Sequence, residues 1–352
     1  MCDKIVEALK AKILDENTHK IGILMHPTPD PDCIASAYAM SRLINKIRPE
    51  VATAMIYDGE LSHSQNKTLV NVLSISLTHA SEIEDIAEFA DTFIAVDTVT
   101  ERSAIGNNKD LSCFLCIDHH RVTTKRSEHL DIRTIGSTAT IVWDYYNKLG
   151  IELEENNDDD QVIATALSVG IKTDTNDLTS DNTADIDWKA SQELIRLVNR
   201  KDLQDIVSYP IPPYYFELRS YLDNPENTKS DKSVFVGGVG CITNSKRDAL
   251  PMMAEERCRV EGIETAFVFA IVGDNIEVSV RSVGLSVDVN AVCQKLFGKQ
   301  YAGGKMGAGA AKIPLGFLSF STSSPEDVRE KMWEAVKIFI IEKIFHVMGG
   351  NE

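Results

Sequence analysis

His26, Asp30 and Asp32 stand together in GILMHPTPDPDCIASAYAM (residues 22–40), threaded between Pro27, Pro29 and Pro31 directly after an apolar run. An ordinary turn has no need of an imidazole and two carboxylates so close together. Three further clusters follow: Asp97 after TFIAV, Asp118-His119-His120 after CFLCI, and Asp174 in GIKTDT (170–175). Carboxylate oxygens with a few imidazoles are the donor set of Mn2+ or Mg2+, harder than the Cys/His set of structural zinc. So many groups exceed what one ion can use. A pair of ions about 3.5–4 Å apart, with one carboxylate bridging, would use them all. Each residue alone has a plainer reading: Asp97 as a helix cap or turn former, Asp30 before Pro31 as an N-cap, the His pair as surface residues. Their coincidence at the ends of predicted elements favours the metal reading. Without cations these carboxylates would repel one another, so the cation-free protein is expected to be less stable at this rim.

The elements that must position these residues alternate between strand and helix. KIGILMH (20–26) reads as a strand, followed by a helical run in which Ile34, Ala37, Met40, Ile44 and Ile47 recur at three- and four-residue steps. VATAMIYDG (51–59), TFIAVD (92–97) and CFLCID (113–118) read as strands; SQNKTLVNVLSI (64–75), GSTATIVWDYYNKLG (136–150) and DQVIATALSVGIKTDT (160–175) read as helices. Such alternation predicts a mostly parallel sheet with helices on both faces, and ligands gather at the carboxyl ends of its strands. Residues 26–32, 97 and 118–120 would then converge on one rim. Helical, polar sequence from about 183 to 225 is broken by the prolines of YPIPPYYF (209–216), read as part of a connector. A second alternation follows, with a hairpin across Gly273-Asp274-Asn275, a helix at about 288–297, a glycine-rich loop and a long C-terminal helix at about 324–347. The boundaries expected are a catalytic domain at 1–200, a linker at 201–228 and a smaller α/β domain at 229–352.

Composition narrows the partners. With 36 basic and 53 acidic residues the net charge is −17, which disfavours long nucleic acid unless cations offset the field and leaves short anionic substrates easier to accommodate. The N-terminus reads as an amphipathic helix rather than a signal peptide, and no long uncharged apolar span is present, so no membrane partner is expected. Seven Cys in a chain of this length point to reduced thiols and a cytoplasmic location. Cys113 and Cys116, three apart on a predicted buried strand, should point to opposite faces.

His26-x-x-x-Asp30-x-Asp32 with Ser36, Asp97 after an apolar strand, Asp118-His119-His120 and GIKTDT resemble, in order, the four motifs of the DHH phosphoesterases. The second half is similar to the DHHA1 substrate domain, through VSVRS (278–282) and YAGGKMGAG (301–309). The layout resembles most the nanoRNase/pAp-phosphatase group. The resemblance implies a parallel-sheet DHH domain linked to a DHHA1 domain with the active-site cleft between them. It implies two divalent ions, Mn2+ or Mg2+, one held by His26, Asp30 and Asp97, the other by Asp32, Asp97, His119 and Asp174. Asp97 would bridge, as would the attacking hydroxide; His120 would lie beside the scissile phosphate and Asp118 would orient the imidazoles.

The implied substrate contacts are Arg281, Ser282, Gly303, Gly304 and Lys305, where Lys305 stands in place of the family's usual His and keeps a positive charge without an acceptor. His63 and Asn66, in DGELSHSQNKT (58–68), either contact substrate at the rim or belong to a helix cap. The function implied is hydrolysis of short oligonucleotides or small nucleotides such as pApA and pAp, with a homodimer compatible. Alternatives are an exopolyphosphatase- or pyrophosphatase-type hydrolase, a cyclic-dinucleotide phosphodiesterase, and a nucleotide-binding regulator without catalysis.

Overall fold

The computed structural model describes residues 2–61, 63–284, 287–305, 307–319 and 325–348. The chain divides into two compact units, Met1–Pro210 and Ile211–Glu352. The first unit opens with α1 (Cys2–Leu14), β1 (Lys20–Leu24), α2 (Pro31–Ile47), β2 (Ala52–Tyr57), α3 (Ser64–Val72) and β3 (Thr78–His79). It continues with β4 (Thr92–Val96), β5 (Cys113–Asp118), β6 (Ser127–Ile132), α4 (Thr138–Lys148), α5 (Asp158–Asp174), α6 (Asp185–Leu194) and α7 (Arg200–Val207).

Its six strands lie in the order β3-β2-β1-β4-β5-β6, all parallel. The chain builds outward from β1 to one edge, then returns to β4 beside β1 and builds to the other. The strand order therefore reverses between β1 and β4, where Ile21 to Leu24 pair with Thr92 to Ala95. That is the crevice in which open parallel sheets hold ligands. Side chains alternate across the sheet: Ile21, Ile23, Ile94, Val96, Leu115 and Ile117 face the core shared with α2, α4 and α5. Leu24, Ile56, Phe93 and Ala95 face the other side, packed against segments around 80–90 and 104–111, whose helical content among the described residues is limited to short 3-10 turns. Cys113 and Cys116 both belong to this second cluster, so the strict alternation expected of them fails at Cys113, the first residue of β5.

The second unit contains α8 (Pro213–Asp223), β7 (Thr228–Asp231), β8 (Val234–Ile242), α9 (Ala249–Cys258), β9 (Thr265–Val272) and β10 (Asn275–Ser282). It ends with α10 (Val289–Phe297), β11 (Ala302–Lys305), β12 (Ala308–Pro314) and α11 (Glu326–Met348). Its sheet runs β11-β12-β10-β9-β8-β7, antiparallel except for the β8–β9 pair, with α8 and α9 on one face and α10 and α11 on the other. The stretch expected as a linker holds most of α7 and all of α8. The proline cluster permits this because Pro213 occupies the first position of α8, where a missing N–H is no loss. No helix among the described residues is long and apolar enough to cross a membrane.

Among its described residues, the glycine-rich stretch at 301–309 pairs as two strands rather than running as a loop. Ala302 to Lys305 pair with Ala311 to Ala308, and Gly304 N donates to Asn290 Oδ1 at 3.1 Å. Glycine is required there by packing: a Cβ on Gly309 would lie 2.6 Å from Val289 Cγ1 and 2.7 Å from Cys293 Sγ, so the paired strands can lie on α10 only without it.

Candidate metal centre

The prolines of the β1–α2 connection fix φ at alternate residues and hold the chain extended. Asp30 caps α2, accepting from Cys33 N at 3.0 Å, and Pro31 starts the helix. Asp32 is thereby placed in the first turn with no exposed surface. Asp97 follows β4 in a left-handed conformation, φ +54, which Asp tolerates better than most residues. Its N–H still donates to Ile117 O at 2.8 Å, so the ladder to β5 runs on to the residue that carries the carboxylate. Asp118 ends β5 and grips His120, accepting from its backbone N at 2.8 Å and from Nδ1 at 2.9 Å. Asp174 is the last residue of α5, and three left-handed residues follow closely, Asn176, Asp177 and Leu178 at φ 48, 58 and 64.

These side chains meet, and Asp97 lies between two groups of them. Its Oδ2 is 3.7 Å from His26 Nε2, which is 3.9 Å from Asp30 Oδ1. Its Oδ1 faces the other way, 3.6 Å from His119 Nε2 and 3.7 Å from His120 Nδ1. His119 Nε2 is also 2.8 Å from Asp174 Oδ2 and 4.0 Å from Asp32 Oδ2. The tautomer of His119 follows from its other nitrogen: Nδ1 lies 3.1 Å from Ile135 O, a group that can only accept, so Nδ1 carries the hydrogen.

Burial governs the charges. Asp32 is pushed up to about 8, first by desolvation and then by the charge of Asp174. Asp97 is raised well above the usual carboxylate range by desolvation and by Asp32, Asp30, Asp174 and Asp118 around it. Burial drives His119 down, but the close carboxylates of Asp174 and Asp32 outweigh it and bring it to about 9.

The donor set fits divalent cations. His119 Nε2 is buried and has no hydrogen bond of acceptable geometry, its short approach to Asp174 being badly aligned. That buried nitrogen would exchange its proton for a coordinated cation, which would also neutralise converging carboxylates that burial disfavours. Three sets of donor atoms each lie within 4.8 Å of one another: His26, Cys33 and Asp97; Asp97, His119 and His120; Asp32, His119 and Asp174. Cys33 was not foreseen in this role, although it directly follows Asp32. It is fully buried, and its thiol donates to Val96 O at 3.6 Å.

The remaining candidates lie elsewhere. Asn66 is buried and its Nδ2 donates to Pro29 O at 2.8 Å, bracing the ligand loop. His63 caps α3, accepting from Gln65 N at 3.2 Å, with its ring centroid 5.3 Å from that of Tyr209. In the second unit Arg281 lines a cavity of about 400 Å³ together with Arg247, Glu277, Tyr301 and Lys312. Ser282 is buried, its hydroxyl 2.9 Å from that of Thr265. Gly303 and Gly304 sit in β11; Ser62 and the Lys305 side chain fall outside the described residues.

Residues 20–171 match the family model described as DHH family, N-terminal domain. Residues 20–171 are a DHH-family N-terminal domain. An uncharacterised protein of Methanocaldococcus jannaschii is 33% identical to the chain over 335 residues, which is 95% of this chain and 66% of the relative. A probable manganese-dependent inorganic pyrophosphatase of Lactococcus lactis is 31% identical over 185 residues, 51% of the chain and 55% of that protein. The match thus spans just under two thirds of the first relative's length and little more than half of the second's. Among solved structures, an exopolyphosphatase-related protein from Bacteroides fragilis superposes with a TM-score of 0.70 over 96% of this chain and 98% of its own, at 16% identity. That likeness establishes a shared fold across both units.

Proposed function

We propose that this chain is a phosphoesterase dependent on two divalent ions, Mn2+ foremost, and that its substrates are short oligonucleotides or small nucleotides. The observation that carries the reading is Asp97, whose two oxygens face two different sets of imidazoles. His26, Asp30 and Asp97 would hold one ion and Asp32, Asp97, His119 and Asp174 the other; bound there, the pair would neutralise phosphoryl oxygens and acidify a water. The chain's own part is orientation and proton transfer. Ile135 O fixes the tautomer of His119, so that Nε2 is its donor atom. Asp118 holds Nδ1–H of His120, so that the half-exposed ring, when it carries a second proton on Nε2, would give that proton to the leaving oxygen and stay hydrogen-bonded through Nδ1.

A nucleotide substrate is supported by the second unit, where a nucleotide-sized cavity offers the exposed ring of Tyr301 beside the cations Arg247, Arg281 and Lys312. A second reading, hydrolysis of inorganic pyrophosphate, is favoured by the Lactococcus lactis relative, whose match covers about half of each chain. The test is turnover of pApA, pAp, cyclic di-AMP, pyrophosphate and polyphosphate with Mn2+ present. Cleavage of pApA or pAp at rates well above those for inorganic substrates supports the first reading. Cleavage of pyrophosphate alone replaces it with the second, and tight nucleotide binding without any turnover makes the chain a regulator.

A further inference from the structure

The segment 135–140, at the start of α4, contains none of the expected ligands, yet it contacts three of them. Ile135 O accepts from His119 Nδ1 at 3.1 Å. The N–H groups of Thr138 and Ala139 donate to Asp32 Oδ2 and Oδ1 at 2.7 and 2.9 Å. The Thr138 hydroxyl donates to Asp97 Oδ1 at 2.8 Å. The segment is itself anchored on the far side from these contacts in sequence: Gly136 N and Thr140 Oγ1 donate to the buried Asp187 at 2.8 and 2.5 Å, and Asp187 also takes Ala184 N at 2.8 Å. Everything in this network is main chain toward the ligands, except one group. That group is the Thr138 hydroxyl.

A carboxylate on Cβ has a broad, two-fold terminal torsion, so the backbone of Asp97 does not by itself decide where its oxygens point. A single donor on one oxygen does. With Oδ1 tied to Thr138, Oδ1 faces His119 and His120, and Oδ2 is left toward His26. Thr138 is wholly buried, so no water competes for the bond, and its β-branched side chain has few rotamers with which to leave it.

We infer that Thr138 is a positioning residue which locks the Asp97 carboxylate across the two halves of the centre, and thereby decides whether the chain holds one divalent ion or two. The inference rests on the two-ion reading above. Removing the hydroxyl frees Asp97 to turn, and the buried oxygen that loses its donor must seek another. One half of the centre then loses its shared ligand.

The test uses the full chain, stripped with a chelator and titrated with Mn2+ by calorimetry and by electron paramagnetic resonance, which detects exchange coupling between neighbouring Mn2+ ions. The wild type should bind two coupled ions, and Thr138→Ser, which keeps the hydroxyl, should match it within about threefold, well inside the effect of losing a supporting hydrogen bond. Thr138→Val, nearly isosteric, should keep one ion and weaken the second by about 10–100-fold, with the coupled signal lost. Thr138→Ala, which cannot overpack, should behave as Thr138→Val does. Two coupled ions at wild-type affinity in both the Val and Ala variants would overturn the inference. So would a Ser variant as impaired as Val, because the methyl group would then be what matters. If neither Val nor Ala folds, Thr138 is a structural residue and the inference fails. A wild type that binds fewer than two ions sinks the two-ion reading itself, a distinguishable result.

Discussion

Stripping the centre of cations should make the protein less stable as the pH rises. In the native state Asp32 holds its proton up to about 8, whereas its unfolded carboxyl ionises near 3.8. Between those values the native state binds the extra proton, so stability falls with increasing pH. His119 contributes in the same direction: its stabilisation is complete below the unfolded value of 6.5 and is lost on passing about 9. The windows overlap between 6.5 and 8. One extra native proton is worth about 1.4 kcal/mol per pH unit, so a single group lowers stability by about 2 kcal/mol across that overlap. For a unit of this size that is a fall in Tm of roughly 4–8 °C for each group that keeps its extra proton. Scanning calorimetry of chelator-treated protein at three pH values and constant ionic strength measures it, and saturating Mn2+ should abolish or reverse the slope by holding the carboxylates ionised. Calorimetric titration with Mn2+ at pH 7 in two buffers of different ionisation enthalpy should register proton release. A chelated protein whose Tm is flat or rises from pH 6.5 to 8 would refute the buried-proton account, as would loading without proton release.

Asp97→Ala should lose at least one bound ion and more than roughly 100-fold in turnover, since a ligand outweighs its supports; metal analysis and kinetics check this. Asp97→Asn, which tolerates positive φ, should show the same loss and so separate chemistry from backbone strain. Gly136→Ala should cost about 1–3 kcal/mol in denaturant unfolding, a typical cost of overpacking. Its Cβ would lie 2.5 Å from Thr175 Cγ2 and 2.7 Å from Asp187 Oδ2. Arg281→Lys, which loses the planar fork but keeps the charge, should raise KM for nucleotide substrates about tenfold with little change in kcat; an unchanged KM would place Arg281 outside the binding machinery.

Most of the residues that meet at the centre were legible because they sit in short stretches after apolar strands, and the ends of parallel strands share a rim; Asp174, at the end of α5, does not follow that rule. His26, Asp97 and Asp118 needed only that rule. Thr138 was not legible. Its bonds run to residues 41 and 106 positions away, and the local signal of Ser and Thr before a helix announces a cap and nothing more. Gly303 and Gly304 were misread as loop because glycine permits any conformation. What makes them a strand is the partner β12 and the close face of α10, which no window of sequence contains.

The left-handed run after Asp174 has a consequence for how the centre fills. Of three successive non-glycine residues in that conformation, Asn176 and Asp177 tolerate it comparatively well, while Leu178 costs about 1–2 kcal/mol, stored just beyond a donor carboxylate. His26 and His119 lie just past strand ends and Asp32 in the first turn of α2, none of them in the left-handed region, and Asp97 alone among them shares it. Asp174 stands at the edge of a coiled spring. On chelation that end of α5 should be the first to unwind, visible as hydrogen exchange rising at 171–178 before it rises at the strand ends. Asp174 would then act as a latch, closing last on an ion that Asp32, Asp97 and His119 have already seated.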